Sequence, residues 1–150
     1  MTTFTFLLMF NFVNPDGTDS LRSQYLQAAV DKSKIESFKS TCSQTKLKHP
    51  THLGYCTMIH FLEAKNALNP YRKLSEFNIG KKTLDSLIKT NTENIELRYL
   101  RHSIQDRVPS VLGYNDQLEN DKEFMSIKLN SISDSSTYQL IYNYLSSENK

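Results

Sequence analysis

Five side chains that can bind a transition metal lie between residues 42 and 60. Three of them, His52, Cys56 and His60, recur every four residues, which places them on one face of a helix. Cys42 and His49 precede this helix and could fold back over it. Zinc takes four nitrogen or sulfur ligands in a tetrahedral arrangement. The spacing therefore permits a metal-binding or catalytic helical domain, although the C-x2-C and H-E-x-x-H patterns that make such a site specific are absent.

Cys42 and Cys56 are the two cysteines of the chain. We expect separate structural roles for the members of this group rather than a metal site, and two buried free thiols in particular. In an exported protein the two cysteines could instead form a disulfide between adjacent helices, which requires Cα atoms within about 7 Å. Both alternatives stay open at this point.

Signatures of nucleophilic catalysis and of phosphate binding are absent from the sequence. There is no G-x-S-x-G motif, and the four glycines are too far apart to form a phosphate-binding loop. The acidic residues Asp116, Glu119, Asp121 and Glu123 lack the calcium-loop pattern, so we expect a solvated first turn of a helix there. The sequence therefore predicts no enzymatic activity and no cofactor.

A helix is predicted over about residues 92–107. Leu97, Leu100 and Ile104 recur along one face of it at three- and four-residue spacing. Pro109 ends it, because a proline ring clashes with a preceding helical turn and donates no amide. This segment carries the densest patterning of the chain.

Two arginines on this helix, Arg98 and Arg101, lack the carboxylate four residues earlier that forms the usual helical ion pair, since Asn94 and Leu97 stand there. In the first and more common interpretation, each arginine forms a salt bridge to a neighbouring helix or is solvated along its stem. In the second, the pair faces a groove and captures a carboxylate or an acidic peptide. The second interpretation predicts a binding site made of Arg98, Tyr99 and Arg101.

Composition indicates one folded helical domain. The chain has 150 residues, of which 38% are apolar and 23% charged, as is usual for a globular protein with a single core. Only 4 glycines and 4 prolines are present, so there are few turns and long helices are favoured over short strands. A net charge of +2 predicts no strong affinity for nucleic acid.

Apolar periodicity predicts about seven helices and no convincing sheet. A helix that begins after Pro50 is apolar over more than half of its circumference and should be central. Asn69 and Pro70 are typical of a cap and a first turn, although Ser75 could begin this helix instead. Gly80 lies where a neighbouring helix could approach closely, and Gly113 suits a left-handed turn.

Other helix starts are assigned from capping patterns. Ser33 and Glu36 match the S-x-x-E capping box. Asn91 or Thr92 is expected to cap the helix of residues 92–107, a further helix should begin at Asn115, and Ser135 should cap the last one. On that last helix the tyrosines at 138 and 142 lie on the core stripe, whereas the one at 144 is expected to point away.

Residues 1–13 form the most apolar run of the chain. We assign them to a separate N-terminal segment, 1–18, which precedes a single α-helical domain, 19–150. The run is shorter than the roughly 20 residues that cross a bilayer, so no transmembrane segment is expected. It suits the core of an export signal, although the positive n-region is missing. The alternation of Phe4, Phe6 and Leu8 also permits an apolar arm packed on the domain.

The segment from Leu53 to Arg107 resembles tetratricopeptide-type helical hairpins. Gly80, Leu84 and Leu87 stand where the second helix of such a repeat carries its apolar positions, and residues 92–94 stand where the repeat has its link. The resemblance implies helices stacked as antiparallel hairpins in a right-handed array. Leu84 in place of the usual aromatic residue, and Leu87 in place of the usual alanine, mark the repeat as degenerate.

Three further stretches resemble a group of small, uncharacterised and mostly exported bacterial proteins, chiefly of Bacteroidetes type. They are A-L-N-P-Y-R-K-L at 67–74, E-L-R-Y-L-R at 96–101 and P-S-V-L-G-Y at 109–114. This likeness covers roughly residues 50–130 and implies an all-helical fold without an established activity.

Together these patterns predict a non-enzymatic helical scaffold that binds a protein or a peptide, an acidic one if the two arginines face a groove. The alternative is the metal-binding or catalytic domain that uses His52, Cys56 and His60. An exported, periplasmic or envelope-associated location is expected from the resemblance and from residues 1–13, with a cytoplasmic one otherwise.

Overall fold

The computed structural model describes residues 17–44 and 49–148. These residues form seven α-helices and no strand, which confirms the all-α fold class. Residues 1–13, and both interpretations of them, lie outside the described part of the chain. The helices are α1 (Thr18–Val30), α2 (Ile35–Gln44), α3 (Pro50–Asn66), α4 (Pro70–Thr90), α5 (Ile95–Gln105), α6 (Leu118–Lys128) and α7 (Ser135–Glu148).

The start of α4 is the one that the sequence predicted most closely. The Asn69 carboxamide oxygen accepts hydrogen bonds from the amides of Tyr71 at 2.9 Å and of Arg72 at 3.2 Å. Pro70 occupies the first helical position, where a missing amide proton does no harm. Asparagine and proline therefore act together as the predicted cap and first turn.

Two other caps differ from the sequence prediction. Asn94, rather than Asn91 or Thr92, accepts the Leu97 amide at 3.1 Å, so α5 begins about three residues late. Asp134, rather than Ser135, accepts the Thr137 amide at 2.8 Å and caps α7. In each case a polar side chain placed one turn before the free amide reaches it directly.

The start of α2 also differs from the prediction. The Asp31 carboxylate accepts the Ser33 amide at 2.9 Å, and a 3-10 turn, Lys32–Lys34, precedes the helix. Glu36 pairs with Lys39 instead of completing a capping box. Likewise α6 begins at Leu118 and not at Asn115.

Helix α3 is central, as predicted for the helix after Pro50. It packs against α1, α2, α4 and α5, and its contact with α4 is the most extensive between any two described helices. The odd-numbered helices form a row in which α1 contacts α3, α3 contacts α5 and α5 contacts α7. Each even-numbered helix packs against the two odd ones that flank it along the chain. The right-handed tetratricopeptide-type array stays a prediction.

Glycines allow two of these contacts. A Cβ atom on Gly80 would lie 2.9 Å from the Phe61 ring, so α3 and α4 approach closely there, which confirms the prediction for Gly80. A Cβ atom on Gly54 would overlap the Leu97 side chain, so α3 and α5 also approach each other closely. Gly113 has φ 58°, which confirms the predicted left-handed turn.

The apolar core takes five buried residues from α3, three each from α1, α2, α4 and α5, and one or two from each of α6 and α7. Leu84, Leu97, Leu100 and Ile141 are completely buried. Each such side chain contributes about 1.5–3 kcal/mol by leaving water. Leu97 and Leu100 confirm the apolar face predicted for α5.

Cys42 and Cys56 are joined in a disulfide between α2 and α3, so the expectation of two free thiols was wrong. Their Cα atoms lie 5.7 Å apart. Cys42 follows Phe38 on the buried face of α2, and the packing of α2 on α3 brings that face to Cys56. A sequence pattern cannot supply that distance, because it depends on how the two helices pack.

We expect the double replacement Cys42→Ala and Cys56→Ala to lower the free energy of unfolding by about 3 kcal/mol, because the bridge closes a loop of some 15 residues in the unfolded chain. Urea denaturation without reductant measures the difference. The native sequence in the presence of reductant serves as the control and should match the double variant. Equal stability with and without reductant would contradict the expectation.

We expect Gly54→Ala to lower the free energy of unfolding by about 1–3 kcal/mol, because the added methyl group overlaps Leu97 and lies 3.2 Å from Leu100 Cδ1. Alanine is a better helix former than glycine by about 1 kcal/mol, so helix propensity alone would make the variant more stable. A loss of stability therefore reports the steric overlap. Thermal denaturation measures it, with Asn78→Ala on the exposed face of α4 as the matched control. A more stable Gly54→Ala variant would mean that α3 and α5 separate without cost.

Candidate functional site

The predicted arginine pair is part of an ion-pair cluster between α5 and α6. The Arg101 guanidinium donates to both carboxylate oxygens of Asp121, at 2.7 and 2.8 Å. Arg98 donates to the same carboxylate at 3.0 Å. Asp121 is completely buried, so the expectation of a solvated carboxylate at that position was wrong. This arrangement is the salt bridge to a neighbouring helix of the first interpretation.

The cluster extends to α4 and to the loop before α6. Asp85 accepts hydrogen bonds from Arg101 at 3.4 Å and from the Tyr114 hydroxyl at 3.0 Å. Burial, followed by the charge of Asp85, raises the pKa of Tyr114 above its ordinary value. Burial opposes the charge on Arg101, but Asp121 and Asp85 together outweigh that effect, and the pKa of Arg101 is raised. Both groups therefore keep fixed protonation states across the physiological range.

Tyr99, the third residue of the predicted binding site, is buried against α7. Its ring meets that of Tyr144 edge to face, with 4.9 Å between the centroids. The Tyr144 hydroxyl lies 2.7 Å from His102 Nδ1. Tyr144 was expected to point away from the core, and that was wrong. The exposed tyrosine of α7 is Tyr142, at 47%, and it stacks on Tyr138.

A second buried carboxylate, Glu96, joins four helices. It accepts hydrogen bonds from Arg22 at 2.9 Å, from the Tyr55 hydroxyl at 2.7 Å and from the Thr137 hydroxyl at 3.1 Å. Burial and then the charge of Glu96 raise the pKa of Tyr55 well above its ordinary value. The sequence analysis missed this network, because its members lie on α1, α3, α5 and α7 and nothing in their spacing connects them.

The metal candidates are separated in the structure. The sulfur of Cys56 is bonded to Cys42 and offers no thiolate to a metal. His52 Nε2 lies 2.9 Å from the Thr18 hydroxyl, and His60 Nδ1 lies 2.8 Å from Glu76 Oε2. In residues 17–44 and 49–148 no group of three or more histidine, cysteine or acidic side chains is arranged to hold a metal ion.

The fifth member of that group has a local role. His49 precedes Pro50 and its ring nitrogen accepts the Thr51 amide at 3.4 Å, as the cap of α3. Its ring lies 5.4 Å from that of His52. The five residues therefore serve in a disulfide, a helix cap and separate hydrogen bonds.

A groove of about 500 Å³ lies between α1, α3, α4 and α5, and we call it the apolar groove. Its walls also include Val108 and Leu112 in the segment that follows α5. This volume is within the range of small-molecule and peptide side-chain pockets. The floor consists mainly of the side chains of Met58, Phe61, Leu62, Leu74, Phe77 and Ile104.

Three cationic side chains line the apolar groove, and none of the described residues that line it is acidic. They are Lys65, Lys73 and Arg107, all of them exposed. Lys65 donates to the Ala29 carbonyl at 3.0 Å. The side chains of Lys73 and Arg107 form neither a hydrogen bond nor an ion pair with any described residue. The groove therefore carries an uncompensated positive charge.

Exposed apolar side chains continue the surface of the groove. Val30, Leu68, Tyr71 and Val111 are each within two residues of one that lines it, and at least 85% of each is exposed. Leu74, which lines the groove, is itself 50% exposed. Exposed apolar side chains close along the chain to an apolar groove favour an interaction site in that region.

Comparison of the chain with protein-family models, with curated proteins and with solved structures found no match. None of the helices in the described ranges is both long and apolar enough to cross a membrane.

We expect Arg101→Ala to lower the free energy of unfolding by about 3–5 kcal/mol, because it removes the bidentate partner of the buried carboxylate of Asp121. Urea denaturation measures the loss. Lys82→Ala, an exposed cation on α4, is the control and should change stability by less than about 0.5 kcal/mol. A stable Arg101→Ala protein would return this arginine to the list of candidate binding residues.

Proposed function

We propose that this protein is a non-enzymatic helical scaffold that captures an acidic, amphipathic segment of a partner protein in the apolar groove. The observation that carries the proposal is the combination of an apolar floor with three cationic side chains and no acidic residue among the described lining. A helix laid in such a groove buries one apolar face and leaves its polar face at the rim.

The charges at the rim define the chemistry of the partner. Lys73 lies in the second turn of α4, and Arg107 lies just beyond the end of α5, so the two cations come from different walls. Carboxylates that flank the apolar side chains of the ligand would pair with both. A ligand with basic residues in these positions would be repelled, which makes the rim a source of specificity.

Arg98, Tyr99 and Arg101 are not part of this proposed site. Both arginines are paired with Asp121, and the Tyr99 ring packs against Tyr144 of α7. The proposal thus keeps the predicted class of partner, a protein or an acidic peptide, and moves the binding residues to Lys73, Arg107 and the floor of the groove.

Two features support the related proposals on architecture and location. The row of odd-numbered helices, each packed on its even-numbered neighbours, supports a tetratricopeptide-type stack of hairpins. The Cys42–Cys56 disulfide supports an exported protein, because such bridges persist mainly in oxidising compartments.

We expect the paired charge reversal Lys73→Glu and Arg107→Glu to weaken binding of a synthetic acidic amphipathic helix about tenfold, because it replaces two attractive contacts by repulsive ones. The probe is a fluorescent 18-residue peptide with leucines at i, i+3, i+4 and i+7 and glutamates on its flanks, and fluorescence anisotropy gives the Kd. Lys82→Glu with Lys89→Glu makes the same change in net charge on the exposed face of α4 and should leave the Kd unchanged.

The same measurement with lysines in place of the glutamates of the peptide checks the sign of the charge effect. Equal binding of the acidic and basic peptides, or equal losses in the two double variants, would contradict the proposal. Melting curves of each variant confirm that the fold is retained.

The floor is tested separately with a matched pair of apolar residues on α4. Leu74→Ser should weaken binding of the acidic peptide, because Leu74 lines the groove, whereas Ile79→Ser should not. Both side chains are partly exposed, at 50% and 44%, so neither change removes a core residue. Equal effects of the two replacements would place the binding surface elsewhere on α4.

A further inference from the structure

Three chain connections lie at one end of the row of helices, around the mouth of the apolar groove. The groove is lined by residues from the last turn of α1, the last turn of α3, the first turn of α4 and the segment after α5. The α1–α2, α3–α4 and α5–α6 connections therefore begin at the same end of the protein. We call the surface formed by residues 30–34, 65–73 and 106–113 the loop face.

Each of the three connections exposes a large apolar side chain. The four most exposed ones in residues 17–44 and 49–148 all belong to the loop face, and they are Val30 at 88%, Leu68 at 100%, Tyr71 at 85% and Val111 at 89%. By contrast the α4–α5 connection at the opposite end, residues 91–94, contains no apolar residue. Apolar side chains so fully in water favour a surface that is covered in use.

Positive charge is concentrated on the same loop face. Its residues include six lysines and arginines and two aspartates, whereas the rest of the chain has fewer basic than acidic residues. The basic residues are Lys32, Lys34, Lys65, Arg72, Lys73 and Arg107, all of them exposed. A net charge of +2 for the whole chain therefore hides a basic end and a slightly acidic remainder.

We propose that the loop face docks on the surface of a bilayer that contains anionic lipids. Leu68 and Val111 enter the boundary between headgroups and acyl chains, and the Tyr71 ring lies at the level of the headgroups, as tyrosine prefers. The cationic side chains around them are attracted to the negative surface potential of the lipid.

The distribution of the apolar side chains favours a lipid surface over a protein partner. They stand singly at the ends of separate connections, so a protein would need a matched pocket for each of them. A fluid bilayer accommodates separate protrusions without such pockets. Charge complementarity then selects anionic over neutral lipid, because six cations are spread over the same surface.

This inference does not rest on the proposed function. Leu68, Tyr71 and Val111 are not among the residues that line the apolar groove, and neither are Lys32 and Lys34. Replacement of these five residues therefore tests docking on lipid while the groove stays intact.

Tryptophan fluorescence of the full-length protein tests insertion, since the native chain has no tryptophan. In Leu68→Trp the emission should shift to shorter wavelength when vesicles of phosphatidylcholine and phosphatidylglycerol in equal amounts are added, because the indole leaves water. Ile127→Trp places the probe at an exposed apolar position of α6 outside the loop face and should show no shift. Equal shifts at the two positions, or none at position 68, would overturn the proposal.

Vesicle co-sedimentation tests the two kinds of contact separately. Leu68→Ser with Val111→Ser should weaken binding to the same vesicles at least about tenfold, while Ile79→Ser with Ile127→Ser, on two other exposed isoleucines, should not. Lys32→Glu with Lys34→Glu should also weaken binding about tenfold or more, and Lys82→Glu with Lys89→Glu should have a smaller effect. Native protein that binds pure phosphatidylcholine vesicles equally well, or binds neither kind, overturns the proposal.

The acidic probe peptide distinguishes this proposal from the proposed function. The Leu68→Ser with Val111→Ser variant should bind the peptide as tightly as the native protein does. If this variant loses the peptide and keeps the vesicles, the loop face is an extension of a protein-binding site and docking on lipid is wrong. If the native protein binds the vesicles and not the peptide, the proposed function is wrong and docking on lipid stands.

Discussion

The buried carboxylate of Glu96 is the contact on which the arrangement of the helices depends. An ionised group removed from water must be matched by donors, and the three that match it come from α1, α3 and α7. Glu96 itself is in the first turn of α5, so the carboxylate holds all four odd-numbered helices at one place. The carboxylate is matched where donors from all three helices meet it, so its burial constrains how the four helices pack.

A second carboxylate, Asp121, sets the other side of α5 in the same way. Its oxygens take the donors of Arg98 and Arg101, and Asp85 ties Arg101 to α4 and to Tyr114. Helix α5 thus carries one carboxylate, Glu96, whose donors lie on α1, α3 and α7. It also carries two guanidinium groups, Arg98 and Arg101, whose carboxylate partners lie on α6 and α4. The disulfide adds a covalent link from α2 to α3 at the edge of this frame. The helices that line the apolar groove are joined by this frame, α1, α3 and α5 through Glu96 and α4 to α5 through Asp85.

The cationic side chains of the protein fall into a structural group and an exposed group. Arg22, Arg98 and Arg101 are committed to buried carboxylates, and their role is structural. Lys73 and Arg107 are exposed beside apolar side chains, with no acidic residue among the described lining of the groove. In the proposed function these two cations select an acidic ligand, while the apolar floor supplies most of the contact area. Specificity and affinity would then come from different residues of one surface.

The amino-acid sequence by itself determined what depends on neighbouring residues. The fold class, the cap of α4 at Asn69, the close approach at Gly80 and the left-handed turn at Gly113 were all predicted, because each follows from local periodicity or from the backbone needs of one residue. Only the tertiary structure decided which polar groups meet. The bond between Cys42 and Cys56, the burial of Asp121 and the different partners of His52 and His60 depend on how distant helices pack. The groove was missed for the same reason: its lining comes from four helices, and an apolar residue that faces a groove has the same spacing as one that faces the core.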